Sequence, residues 1–185
     1  MSRVSPATRE SVPQNQRAAY DEIIGARGGP VRTGPVSVLI NSPEMAKRAS
    51  HLSSYLRQES SLSAKVQELA MLTTARELDC QYIWNAHAAS GRRAGLSDAL
   101  VDAIRDRRDL PTMAADEAPV VNLGREFFRT HQVSDATFQA VLRQFGRQGL
   151  TELTTLMGYY GLLAFNANTC AIDLPAERTE SVLPI

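Results

Sequence analysis

The residue types and spacings that could do chemistry are concentrated in one stretch, ELAMLTTARELDCQYIWNAH, from Glu68 to His87. It holds one of two cysteines, the sole tryptophan and one of three histidines, which makes it the place to look for a site. Helical spacing puts Cys80, Trp84 and His87 at i, i+4 and i+7, along one side of a single predicted helix. Glu68 lies in the preceding helical run, and an antiparallel return of the chain brings its carboxylate toward His87. Such a pair is an acid/base unit: the imidazole exchanges a proton near neutrality and the carboxylate orients it. Cys80 is either a thiol nucleophile or a small buried apolar residue.

Positioning these groups falls to helices. Pro13 starts one through Gln14 to about Ala26, and Gly28-Gly29-Pro30 ends it. Residues Val31 to Ile40 read as a connecting loop whose VSVLI run packs on the body, since one short β-branched run has no strand to pair with. Ser42, Pro43 and Glu44 are start signals for a helix to about Gln58. Ser63 caps the next, with a broad apolar face from Val66 to about Leu78. Asp79-Cys80 marks a bend, after which Gln81 to Ala94 is helical until Gly95 closes it. Three further helices are predicted: Ser97 to about Arg107, about Ala115 to Thr130, and Ser134 to about Arg147. A last one, capped by Thr151, is apolar nearly all round and stops before Pro175, so it is expected at the centre or at a subunit interface. The count is seven or eight helices, and the predicted fold class is an all-α bundle.

Lys plus Arg equals Asp plus Glu at 20 each, with no basic stripe interleaved with aromatics, so nucleic acid is not an expected partner. No apolar run approaches a membrane span, and the start of the chain lacks the apolar core of a signal peptide; a cytoplasmic protein without a membrane partner is expected. His51 and His131 stand isolated, with no ligand spacing around them, so neither metal nor cofactor is expected. Residues Met1 to about Val12 carry no apolar period and read as a mobile or partner-wrapping arm.

Glu68, Ala75-Arg76, Cys80, Tyr82, Trp84 and His87, followed by Gly95-Leu96-Ser97 and the later GYYGLLAFNAN, resemble the carboxymuconolactone decarboxylase family, which includes the alkyl hydroperoxidase D-like proteins. The resemblance runs from about Gly34 to Pro175. It divides the chain into an arm and first helix (1–33), a carboxymuconolactone decarboxylase-like helical domain (34–175) and a tail (176–185). It implies an oligomeric all-helical scaffold, a homotrimer or hexamer, that serves two unrelated chemistries.

The redox branch carries a CxxC between the glutamate and the histidine. Here Ile83 stands where the second cysteine belongs, so a sulfenic acid at Cys80 has no adjacent thiol to trap it unless Cys170 packs against that face. The decarboxylase-like branch commonly reads Tyr-Glu-Trp-x-x-His; Tyr82, Trp84 and His87 match, and Ile83 replaces the acid. That branch implies a small unsaturated lactone or organic acid as substrate. His87 is then the proton donor and Glu68 its orienting carboxylate, Arg76 holds a carboxylate or developing enolate, and Tyr82 and Trp84 exclude water. The alternatives are a thiol-dependent peroxidase using Cys80, and a small-molecule binding protein without activity.

Overall fold

The computed structural model describes residues 2–178 and 180–185. Among them are eight α-helices and no strand: α1 (Arg17–Arg27), α2 (Pro35–Leu39), α3 (Pro43–Ser54), α4 (Ala64–Glu77), α5 (Gln81–Arg93), α6 (Asp98–Arg105), α7 (Ala118–Thr130) and α8 (Asp135–Thr169). A 3-10 turn, Gln14–Gln16, leads into α1, and a π-helical turn, Tyr55–Glu59, extends α3. Serine starts the helices where expected. The Ser63, Ser97 and Ser134 hydroxyls accept from the N–H of Val66, Leu100 and Thr137, each satisfying a backbone donor that the first turn leaves unpaired. Ser42 makes no such bond, and α3 begins on Pro43 alone.

The centre of the bundle is α4. Every residue from Val66 to Arg76 is buried, and the helix packs against α5, α7 and α8. The last helix, expected at the centre or at a subunit interface, is half covered: Leu156, Met157, Tyr160 and Leu163 face the core, while Leu162 and Phe165 are 45% and 75% exposed. Nor does it start at Thr151. The backbone runs as α8 from Asp135, broken at Gly146, where φ +69° and ψ −176° is open to glycine and closed to residues with a Cβ. Thr151 lies inside the second limb, its hydroxyl donating back to the Arg147 carbonyl.

Two further expectations are corrected. Residues 35–39 form a short helix rather than a loop, because Pro35 supplies a preset first position after Gly34 and the chain turns at once into α3. The arm does not stand free: Val12 is buried, and the Arg3 N–H donates to the Cys170 carbonyl at 2.8 Å. It wraps its own bundle.

The loop after the π-helical turn is tied down by Glu152 of α8. Its carboxylate accepts from Tyr55 Oη (2.8 Å), the Ser61 N–H (2.9 Å) and hydroxyl (2.5 Å), and Gln148 Nε2 (2.9 Å). Burial pushes this carboxyl upward, but the four donors outweigh it and hold it down at about 2.

Candidate functional site

The bend between α4 and α5 sends the two helices back along one another and brings Glu68 to His87, Oε2 to Nδ1 at 2.9 Å. Both residues are more than nine-tenths buried. Close approach is possible because Gly91, one turn beyond His87, has no side chain: a Cβ there would lie 3.0 Å from the Leu72 and Leu96 methyls. With Nδ1 engaged by the carboxylate, Nε2 is the nitrogen left to exchange a proton with a ligand.

Two groups not singled out in the sequence complete the surroundings. Arg57, in the π-helical turn, places Nη2 3.7 Å from Glu68 Oε1. Tyr160 of α8 stands edge-on to the His87 ring, centroids 5.1 Å apart at 82°. Burial pushes its hydroxyl up to about 12, so it remains a protonated donor at neutral pH. Arg57 and Tyr160 also line a cavity of about 710 Å³ between α1, α3 and α8. Its wall carries Arg27, Lys47 and Arg57 against a single carboxylate, Glu22, with Ile23, Pro35, Val36, Tyr159 and Leu163 supplying apolar surface. Lys47 pairs with Glu22 at 2.6 Å. A cavity of that size and charge suits a small organic anion.

The remaining candidates lie elsewhere. Cys80 is not part of the helix that carries Trp84 and His87: it is the residue before α5, in extended conformation, because the bend needs a non-helical residue there. It is fully buried, and burial pushes its thiol above the usual range, away from the thiolate a nucleophile needs. Cys170 closes α8, and both are free thiols. Arg76 pairs with Asp79 at 3.1 Å and donates to the Pro184 carbonyl; Trp84 donates to the Ser181 carbonyl. Tyr82 packs its ring against Gly34, where a Cβ would meet its hydroxyl at 2.9 Å. The predicted site thus divides: Glu68 with His87 faces α8, Arg76 and Trp84 hold residues 181–184, and Cys80 lies buried at the bend between α4 and α5.

Tyr160 was visible in the sequence only as one apolar member of the last helix. Arg57 carried no signal, since an arginine at the end of an amphipathic helix is ordinary. Among the described residues no group of three or more His, Cys, Asp and Glu side chains is placed to hold a metal ion, and no helix is long and apolar enough to cross a membrane.

Comparison with known proteins gives a consistent picture. The model of the carboxymuconolactone decarboxylase family matches residues 43–115. No curated protein matches the chain in sequence. Among solved structures, the chain is similar to the alkylhydroperoxidase AhpD core of an uncharacterized peroxidase-related protein from Ralstonia eutropha JMP134, with a TM-score of 0.70 and 19% identity over 95% of this chain and 93% of that one. A peroxidase-related protein from Silicibacter sp. TM1040 superposes with a TM-score of 0.70 at 15% identity, over 95% and 92% of the two chains. The debrominase Bmp8, solved as a cysteine-to-alanine variant with 2,3,4-tribromopyrrole, gives 0.67 at 11% identity, over 94% and 91%. At these identities the structures establish the fold. Residues 43–115 thus match the carboxymuconolactone decarboxylase family model, and the chain as a whole carries an AhpD-like all-helical fold.

Proposed function

We propose that the protein is an enzyme acting by acid/base chemistry on a small unsaturated lactone or organic acid, with His87 as the proton-transferring group and Glu68 as its orienting carboxylate. The observation that carries this reading is the buried 2.9 Å contact between them, flanked by two residues that also line a cation-rich cavity. In a decarboxylation the bond to the departing carboxylate breaks, its electron pair delocalises into the unsaturated system, and His87 delivers a proton to carbon before recovering one from solvent. We assign the holding of the anion to Arg57, Arg27 and Lys47 rather than to Arg76, whose guanidinium is turned to Asp79 and Pro184.

A second reading is thiol chemistry at Cys80, favoured by the peroxidase-related proteins and the cysteine-variant debrominase that share the fold. Full burial and a raised thiol weigh against it. The deciding test offers wild type and Cys80→Ser a panel of unsaturated lactones and carboxylic acids, and separately hydrogen peroxide with a thiol reductant. Turnover of a panel member is expected, kept within about twofold in Cys80→Ser because the thiol takes no part in the proton transfer. Peroxide consumption that vanishes in Cys80→Ser replaces the acid/base reading with the thiol one.

The same reading includes a homo-oligomer. Leu162 and Phe165, one turn apart on α8, leave large apolar side chains in water on the isolated chain. Light scattering at micromolar concentration should return a multiple of the 20.2 kDa chain mass. A monomer there removes this part of the proposal.

A further inference from the structure

Residues 180–184 lie along the start of α5 as a strap, held by side chains of the body gripping its main chain. The Gln81 amide donates to the Leu183 carbonyl (2.7 Å) and accepts from the Leu183 N–H (2.8 Å). Trp84 Nε1 donates to the Ser181 carbonyl (3.1 Å), and Arg76 Nη2 to the Pro184 carbonyl (3.2 Å). Arg92 reaches Glu180 at 3.2 Å while also serving Asp98 and Asp102. Leu183 is buried in the core; Val182 and Ile185 face water.

This is a lightly held unit. One buried apolar side chain and a few hydrogen bonds that water can replace must offset the conformational entropy of the ordered residues. The residues that hold the strap flank Cys80 in the chain, and Cys80 and the strap's Leu183 belong to the same buried core cluster. Gln81 and Trp84 follow Cys80 by one and four positions, and Arg76 precedes it by four. Beneath the strap the Arg76 guanidinium leaves Nε and Nη1 buried with no hydrogen-bond partner among the described residues. The closed arrangement therefore leaves polar capacity unused on the face that it covers.

We propose that the strap is a displaceable lid, sealing the Cys80 thiol when docked and presenting it, in a groove walled by Arg76, Gln81 and Trp84, when released. The thiol at position 80 then reacts with electrophiles through the open state alone. The proposal is independent of the acid/base reading, since it concerns Cys80 and not the Glu68–His87 pair.

The test uses full-length chains carrying Cys170→Ser, so that alkylation by iodoacetamide reports one thiol. The sulfur forms a bond to carbon, iodide departs, and the thiol proton goes to solvent. Leu183→Asp places a charge in the apolar seat of the strap; Gln81→Ala removes its paired hydrogen bonds and preserves the seat. As the sole tryptophan, Trp84 reads strap release directly through its emission wavelength and its quenching by acrylamide. Alkylation is expected to accelerate roughly tenfold or more in Leu183→Asp and several-fold in Gln81→Ala, in step with a red shift of Trp84 emission, as an open-state population grows. Circular dichroism follows global unfolding in the same samples. An emission shift without faster alkylation overturns the proposal, as does alkylation that tracks global unfolding in urea. No emission shift in either variant also overturns it, because the strap then does not cover this face.

Discussion

Replacing His87 with Gln is expected to lower kcat on any substrate found for the wild type by roughly 10²- to 10⁴-fold, the usual contribution of a positioned general acid or base. The argument is local. Glutamine fills much of the imidazole volume, and its amide can still donate to Glu68, so the α4–α5 contact and the melting temperature should survive. What it lacks is a nitrogen that gains and loses a proton near neutral pH. KM should move little, because the cationic side chains of the cavity are untouched. Glu68→Gln is the companion variant. It keeps a hydrogen bond to Nδ1 but removes the negative charge that stabilises an imidazolium, so kcat falls by less than in His87→Gln. Full turnover in His87→Gln at an unchanged melting temperature rules out the acid/base role.

The second large effect concerns stability. Glu152 is 4% exposed and accepts four hydrogen bonds, and its carboxyl is held at about 2 against an ordinary value of 4.5. A group depressed on folding favours the native state at pH values above its unfolded value, and that contribution drains away as pH falls from about 4.5 toward 2. The difference corresponds to about 3 kcal/mol at neutral pH. Glu152→Gln should therefore unfold at lower urea concentration at pH 7, with the gap to wild type closing in acid. A gap that stays constant from pH 7 to pH 2.5 would falsify the assignment. The consequence reaches the site, because the loop that Glu152 secures follows directly on the π-helical turn that carries Arg57.

Much of this architecture is legible in the sequence because its signals are local. A serine hydroxyl placed three residues before a backbone donor marks Ser63, Ser97 and Ser134 as helix starts, and an apolar face marks α4. The Glu68–His87 contact is also foreseeable, since a short bend between two helices leaves little choice but an antiparallel return. Long-range facts are not. Nothing in the composition of α8 says that its first limb joins the second without a loop; that follows from a backbone conformation at Gly146 which glycine permits but does not require. The strap escaped notice because a polar segment with one leucine carries no period, and its place is set by Gln81, Trp84 and Arg76, a hundred residues away. The apolar composition of the last helix left centre and subunit interface open, and burial puts α4 at the centre, whose threonines and alanines let three helices approach it.

The π-helical turn at Tyr55–Glu59 also fixes an angular relation. A π turn accommodates one residue more than the α-helical turn it replaces, and each residue advances a helix by about 100°. Deleting a single residue from this segment would return it to ordinary helical phase and swing the Arg57 guanidinium roughly a quarter-turn away from Glu68. Insertions and deletions of one residue within this turn would thus act as discrete settings of the charge beside the pair and of the cavity wall that Arg57 forms.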